Sequence, residues 1–253
     1  MVRRIRICIY NLTGCEGCAL QLINTIAEDE ELSRYVELHG HLIDNDEVME
    51  CDVAVVDGSV TTRHDEELLK RIRERSRILV ALGTCASIAG LNALAETLGF
   101  EEGVRAVYGA RPGVDLIGGS RPLEDVVDVD IQVPGCPPVP SELRDLVLSL
   151  ILERRFRLPD SAVCHECRAR GLPCLLKRGI PCLGPATRAG CNALCIAFQQ
   201  PCWGCRGLAE DVSAEALAEL YEKHGIDRRS AAKMFRLYLS KTPLAKVVWG
   251  GKE

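Results

Sequence analysis

Cysteine occupies fourteen of the 253 positions. Its thiolate is the group here most able to do chemistry, as nucleophile, redox partner or metal ligand. In an oxidising compartment fourteen thiols could pair into seven disulfides. The first residues argue for a reducing one. Met1-Val-Arg-Arg-Ile-Arg-Ile-Cys8-Ile-Tyr10 has basic residues but neither the apolar h-region nor the small-residue cleavage site of a secretory signal. Without that region, Arg3-Arg4 does not make a twin-arginine signal. The expected location is the cytoplasm, where disulfides are rare and many thiols indicate metal.

Four of the cysteines sit where ligands bind in α/β proteins. Cys15 and Cys18 lie in Thr13-Gly-Cys15-Glu-Gly-Cys18, Cys85 in Gly83-Thr-Cys85-Ala, and Cys136 in Pro134-Gly-Cys136-Pro-Pro138. Each segment follows a strand-like run, and in an open sheet the carboxyl ends of the strands line one crevice. Glycine beside each cysteine permits tight turns, and nearby helix N-termini favour thiolate charge. A lone loop cysteine is usually incidental; four at one sheet edge are expected to share a metal. Cys-x-x-Cys could instead be a thioredoxin-like redox pair, which leaves Cys85 and Cys136 without a role.

Eight more lie between residues 164 and 205: Cys164-x2-Cys167-x6-Cys174-x7-Cys182-x8-Cys191-x3-Cys195-x6-Cys202-x2-Cys205. They make two sets of four. Structural zinc uses four thiolates, and so do iron–sulfur cubanes; spacing alone leaves both open. Fourteen is three fours and two, and the two left over, Cys8 and Cys51, fall in strands as small core residues. A site assembled from distant loops suits a cluster in an electron-transfer protein better than a zinc ribbon, whose ligands come from local knuckles. Three clusters in one small chain suggest a wire.

The elements that must hold these thiols divide the chain. Strands are expected at Ile5–Tyr10, Val36–Leu42, Val53–Val56, Ile78–Leu82 and Val129–Val133, with helices at Cys18–Glu28, His64–Arg75, Ser87–Leu98 and Ser141–Arg155. That alternation predicts an α/β fold: an open, mostly parallel, doubly wound sheet over residues 1–155. The Gly- and Pro-rich stretch Glu101–Asp125 reads as an insertion loop. Residues 156–210 show little periodicity and form a small irregular domain that needs metal for stability. Residues 211–253 form a helical tail, with Ser213 capping Ala214–His224, Gly225 stopping it, and Asp227 capping a second helix through Leu239. A net charge of -5 and 4% aromatic residues speak against nucleic acid. No apolar run reaches the roughly 20 residues of a membrane span. No Gly-x-Gly-x-x-Gly fingerprint is present, so pyridine-nucleotide binding would fall to a partner.

The elements Cys15-Glu-Gly-Cys18, Gly83-Thr-Cys85, Pro134-Gly-Cys136-Pro-Pro138 and Pro181-Cys182-Leu-Gly-Pro-Ala-Thr-Arg-Ala-Gly-Cys191-Asn-Ala-Leu-Cys195…Pro201-Cys202-Trp-Gly-Cys205 resemble the small subunit of nickel–iron hydrogenases. The resemblance is to the cytoplasmic group that includes the delta subunit of archaeal sulfhydrogenases, and it covers about residues 5–240. It implies a flavodoxin-like sheet and an electron relay through three 4Fe–4S clusters, with the nickel–iron centre on a separate large subunit and no catalytic residue in this chain. Cys15, Cys18, Cys85 and Cys136 would hold the proximal cluster, Cys164, Cys167, Cys174 and Cys182 the distal one, and Cys191, Cys195, Cys202 and Cys205 the medial one. Periplasmic relatives often carry His in place of Cys164, and Pro in place of Cys195, which leaves three irons. Both positions are Cys here, so three cubanes are expected. The Glu that many relatives carry two residues after the second cysteine is absent; Ala19-Leu20 stand there, followed by Gln21. The implied partners are the large subunit and flavin/NAD(P)-binding and iron–sulfur electron-transfer subunits. Coupling to heterodisulfide reductase or F420, or a zinc-stabilised scaffold, are the competing readings.

Other residues read as bystanders. His165 lies between two ligands and points elsewhere. His39 and His41 alternate on a strand at the core edge. Glu16 is a contact to the proximal site or the partner, or else a solvated loop acid. Trp203 shields a cluster from water, Glu28–Glu31 is a solvated helix end, and Arg71, Arg73, Arg75 and Arg77 form a wet face.

Overall fold

A computed structural model describes residues 4–45, 47–97, 99–109, 113 and 115–245. The chain separates into two units, Met1–Arg157 and Leu158–Glu253.

In the first unit, β1 (Ile5–Asn11), α1 (Gly17–Glu28), α2 (Glu30–Tyr35), β2 (Val36–Gly40), β3 (Cys51–Asp57), β4 (Val60–Thr62), α3 (Arg63–Glu74), β5 (Ser76–Leu82) and α4 (Gly83–Ile88) follow in order. Then come α5 (Leu94–Thr97), α6 (Phe100–Tyr108), β6 (Leu116–Arg121), β7 (Ile131–Val133) and α7 (Pro140–Ile151). Five strands pair in the order β2-β1-β3-β5-β7, all parallel. Counting only those five, the order is 2-1-3-4-5, the flavodoxin-like arrangement. The strand alternation explains why both faces are covered. Ile7, Ile9, Val53, Val55, Val80 and Leu82 pack under α1 and α7 with Leu22, Leu143 and Leu146. Cys8, Tyr10, Ala54, Val56, Leu79 and Ala81 point the other way, onto Leu69 and Ile72 of α3. Strands buried on both sides read as near-continuous apolar runs, as β3 and β5 do.

All five expected strands are present. Two expectations for the connections are corrected. The stretch 101–125 is not one loop: it contains α6 and β6, and β6 pairs antiparallel with β4. The helix expected over Ser87–Leu98 is broken, because Ala89 takes a left-handed conformation (φ 61°) between α4 and a 3₁₀ turn at Gly90–Ala93. Asp29 accepts from the backbone N–H of Glu31 and Leu32 and so starts α2. It also pairs with Arg144 at 2.7 Å, so the acidic run is more than a solvated end. Arg73 is not on a wet face either: it meets Asp130 at 2.6 Å and donates to the carbonyl of Ser76, tying α3 to the start of β5.

The second unit contains α8 (Val163–Ala169), α9 (Leu194–Ala197), α10 (Ala214–Lys223) and α11 (Arg228–Tyr238). The cysteine-rich segment and the helical tail share this unit. Ser213 and Asp227 cap α10 and α11 as their sequence implies, accepting from Ala216 N at 3.2 Å and Ser230 N at 2.9 Å. Isolated bridges Ala162↔Arg188 and Thr187↔Leu208 close the loops between them. Tyr221 of α10 donates its hydroxyl to the carbonyl of Cys182 at 3.1 Å. Among the described residues no helix is long and apolar enough to cross a membrane.

Candidate metal centres

At the carboxyl edge of the sheet, three loops converge. Cys15 and Cys18 follow β1, Cys85 lies in α4 directly after β5, and Cys136 follows β7. The register aligns Asn11 with Asp57, so β1 and β3 end level, and a Thr13↔Ser59 bridge holds their loops together. Thr84 fastens the other two: its N–H donates to Gly135 O at 3.0 Å and its Oγ1 accepts from Gly135 N at 3.0 Å. The peptide Cys136–Pro137 is cis. The four thiols become neighbours. Burial pushes Cys18 up, and the charges of Asp57, Cys136, Cys85 and Cys15 add to it. Burial likewise pushes Cys85 up to about 11, with Cys136, Asp57 and Cys15 contributing. Without a cation, desolvation therefore outweighs any help from helix N-termini; a bound metal reverses that balance by deprotonating its thiols. Cys15 and Cys136 are exposed and Cys18 is buried, so the site opens on one side.

In the second unit, Cys164 is raised to about 12 by burial and by Cys182, Cys167 and Cys174. Those four are thus grouped. Cys182 also receives the N–H of Cys202 on its Sγ at 3.3 Å. Burial raises Cys202, whose neighbours include Cys182 and Cys205, and Cys195 also neighbours Cys182. Cys191 lies beside Glu166 and Arg206. Cys182 therefore neighbours Cys164 as well as Cys195 and Cys202. Short α8 presents Cys164 and Cys167 from one turn of helix, a device too brief for periodicity to reveal.

A Cβ built on Gly83 (φ +84°) would stand 2.3 Å from Cys18 Sγ, and one on Gly184 would stand 3.4 Å from Cys164 Sγ and 3.5 Å from Cys182 Sγ. At Gly83 the positive φ and the close thiol demand glycine, whereas the Gly184 distances are ordinary van der Waals contacts. Among the described residues no three Cys, His, Asp or Glu side chains gather closely enough to hold a single ion. An iron–sulfur cluster would instead take its four thiolates at four separate irons rather than at one ion.

Sequence reasoning missed Asp57. It is 3% exposed, and its Oδ2 accepts from Ala19 N at 3.1 Å, seating the start of α1. Burial raises its carboxyl against those hydrogen bonds. An acid closing the apolar run of β3, at the same sheet edge as the cysteines, was the available signal. Glu16 pairs with His41 at 3.3 Å, which settles its contact. His39 sits between Asp44 (2.7 Å) and Glu37 (2.9 Å). Trp203 is 40% exposed and is not the shield that its position between two cysteines suggested. Cys8 is fully buried in the core and hydrogen-bonds with Cys51.

Comparison with known proteins gives the same family from several directions. The model of the NADH ubiquinone oxidoreductase 20 kDa subunit family matches residues 15–150. The chain is 36% identical to the sulfhydrogenase 2 subunit delta of Pyrococcus furiosus over 230 residues, covering 89% of this chain and 96% of that one. It is 31% identical to a subunit of the vhu F420-non-reducing hydrogenase of Methanococcus voltae, covering 89% of this chain and 90% of the relative. Among solved structures, an NAD+-reducing [NiFe]-hydrogenase in the H2-reduced state aligns with a TM-score of 0.55 and 30% identity, over 62% of this chain and 96% of that one. An actinobacterial-type NiFe-hydrogenase from Ralstonia eutropha shares the fold, with a TM-score of 0.59 over 96% of this chain and 92% of that one at 18% identity. The chain belongs to the family of the 20 kDa subunit of NADH ubiquinone oxidoreductase, among its hydrogenase subunits.

Proposed function

We propose that this chain is the electron-relaying small subunit of a cytoplasmic nickel–iron hydrogenase, carrying three 4Fe–4S clusters between a large subunit and a flavin/NAD(P)-linked partner. The observation that carries the reading is the convergence of Cys15, Cys18, Cys85 and Cys136 from three loops at the carboxyl edge of the sheet. Each cluster, when bound, supplies one-electron storage without proton or atom transfer.

The chain's own residues do the rest. Cys15, Cys18, Cys85 and Cys136 would hold the proximal group, with Asp57 and Thr84 fixing the loops from behind. Exposed Cys15 and Cys136 leave that site open towards a large subunit. Cys164, Cys167, Cys174 and Cys182 would hold the distal group, and Cys191, Cys195, Cys202 and Cys205 the medial one. The N–H of Cys202 donates to Cys182 Sγ, a hydrogen-bonded path from one ligand set to the other. The NAD+-reducing hydrogenase among the similar structures supports the NAD(P)-linked partner.

Iron, acid-labile sulfide and zinc per chain after anaerobic purification test the proposal. About twelve iron and twelve sulfide, as three cubanes require, support it. About two zinc without sulfide would make the chain a zinc-stabilised scaffold.

A further inference from the structure

Arg206 heads the largest fully buried side chains of the described residues, at 1% exposure. It directly follows Cys205. Its Nε donates to the carbonyl of Ala189 at 2.9 Å, two residues before Cys191, so its charge lies within the segment that carries Cys191 and Cys205. A guanidinium does not give up its proton. Burying one requires hydrogen-bond acceptors or negative charge around it. A cubane with four thiolates carries net negative charge in every state it uses.

Glu166 approaches the same cysteine with the opposite sign. It lies between Cys164 and Cys167 on α8. Its Oε1 accepts from Gly190 N at 2.8 Å, and its Oε2 accepts from Ala193 N at 3.2 Å and stands 4.0 Å from Cys191 Sγ. The Cys191 loop is thus held by the side chains of Glu166 and Arg206 from two sides.

We propose that Arg206 sets the reduction potential of the cluster held by Cys191, Cys195, Cys202 and Cys205. Its fixed positive charge favours the reduced state, and Glu166 tempers it. The inference rests on the reading that these four thiolates hold a cluster. One electron arrives from a neighbouring cluster and leaves to the next, with no bond made or broken and no proton moved. The medial position becomes the electron sink of the relay.

The test is an EPR-monitored titration with dithionite of the full chain in its complex, with iron and sulfide measured first. Arg206→Gln should move the medial potential down and leave the other two in place. Arg206→Lys should keep it near the native value, and Glu166→Gln should move it up. Arg206→Gln with full iron content titrating at the native potential would overturn the proposal, as would Arg206→Lys falling as far as Arg206→Gln. If Arg206→Gln loses iron, the native protein decides: the cluster whose signal Cys195→Ser alters must titrate highest of the three, and any lower rank rejects the idea. A native sample free of iron and sulfide would remove the parent reading instead.

Discussion

Cys195 carries the sharpest residue-level consequence. Relatives with proline at the corresponding position are left with three irons in that cluster. A Cys195→Pro variant is expected to give a strong three-iron EPR signal when oxidised, and the native chain to give none beyond damage. Asp57 makes a second prediction. Replacing it with alanine leaves the buried N–H of Ala19 without its acceptor, a loss of about 1–3 kcal/mol readable as a lower urea midpoint; Asp57→Asn keeps an acceptor and should cost less. His39 carries a pH dependence. Asp44 and Glu37 hold its imidazole above the ordinary histidine range. The stabilisation is fully present below the unfolded value of about 6.5 and disappears as pH rises through the raised folded value. The stability difference between native protein and His39→Gln should therefore shrink from acid to alkaline pH. These residues were unequally legible. Cysteine announces itself by type and spacing. Asp57 and Arg206 matter through burial, which a single acid or arginine in a sequence does not disclose.

At the scale of elements, the parallel sheet was readable because each strand is buried on both faces and so stays apolar throughout. β7 needed only Ile131–Val133 to pair with β5. The failures share a cause. α6 buries no residue; Phe100, Val104 and Val107 do fall at helical spacing, but the stripe is short and set among glycines, so the segment read as a loop. α8 is seven residues long and buries only Val163, so its cysteines, the proposed ligands, lay down no core face. Gly83 gives the matching prediction. Its left-handed φ and the 2.3 Å approach of Cys18 Sγ to any Cβ there leave no room for alanine. Gly83→Ala should displace Cys18 and lower the iron content by about four per chain, one cubane, while far-ultraviolet circular dichroism still reports a folded sheet.

Across the whole molecule, the two units draw stability from different sources. The first has two apolar layers on one sheet; the second wraps short helices and loops around eight cysteines. With clusters bound as proposed, the second unit should be lost first when metal is withdrawn, since metal binding there would add to a small core that includes Leu183, Phe235 and Leu239. Hydrogen exchange after chelation should therefore deprotect residues 158–245 while the strands of residues 5–133 keep their slow amides; equal deprotection of both would contradict the division of labour. The sequence composition already separated these regimes, because apolar runs end where the dense cysteines begin.

The N–H of Cys202 on the sulfur of Cys182 has a consequence for how the protein is made. That bond, with the Leu183 N–H on Cys202 O at 2.9 Å, ties the segment of Cys182 to that of Cys202, so if each holds a cluster as proposed, neither set of four thiols reaches its final shape alone. Whichever site is loaded first orders a strand of backbone belonging to the other. Maturation in this unit is then a paired event: half-loaded chains should be scarce, and a defect in one site should be inherited by its neighbour before any electron has passed.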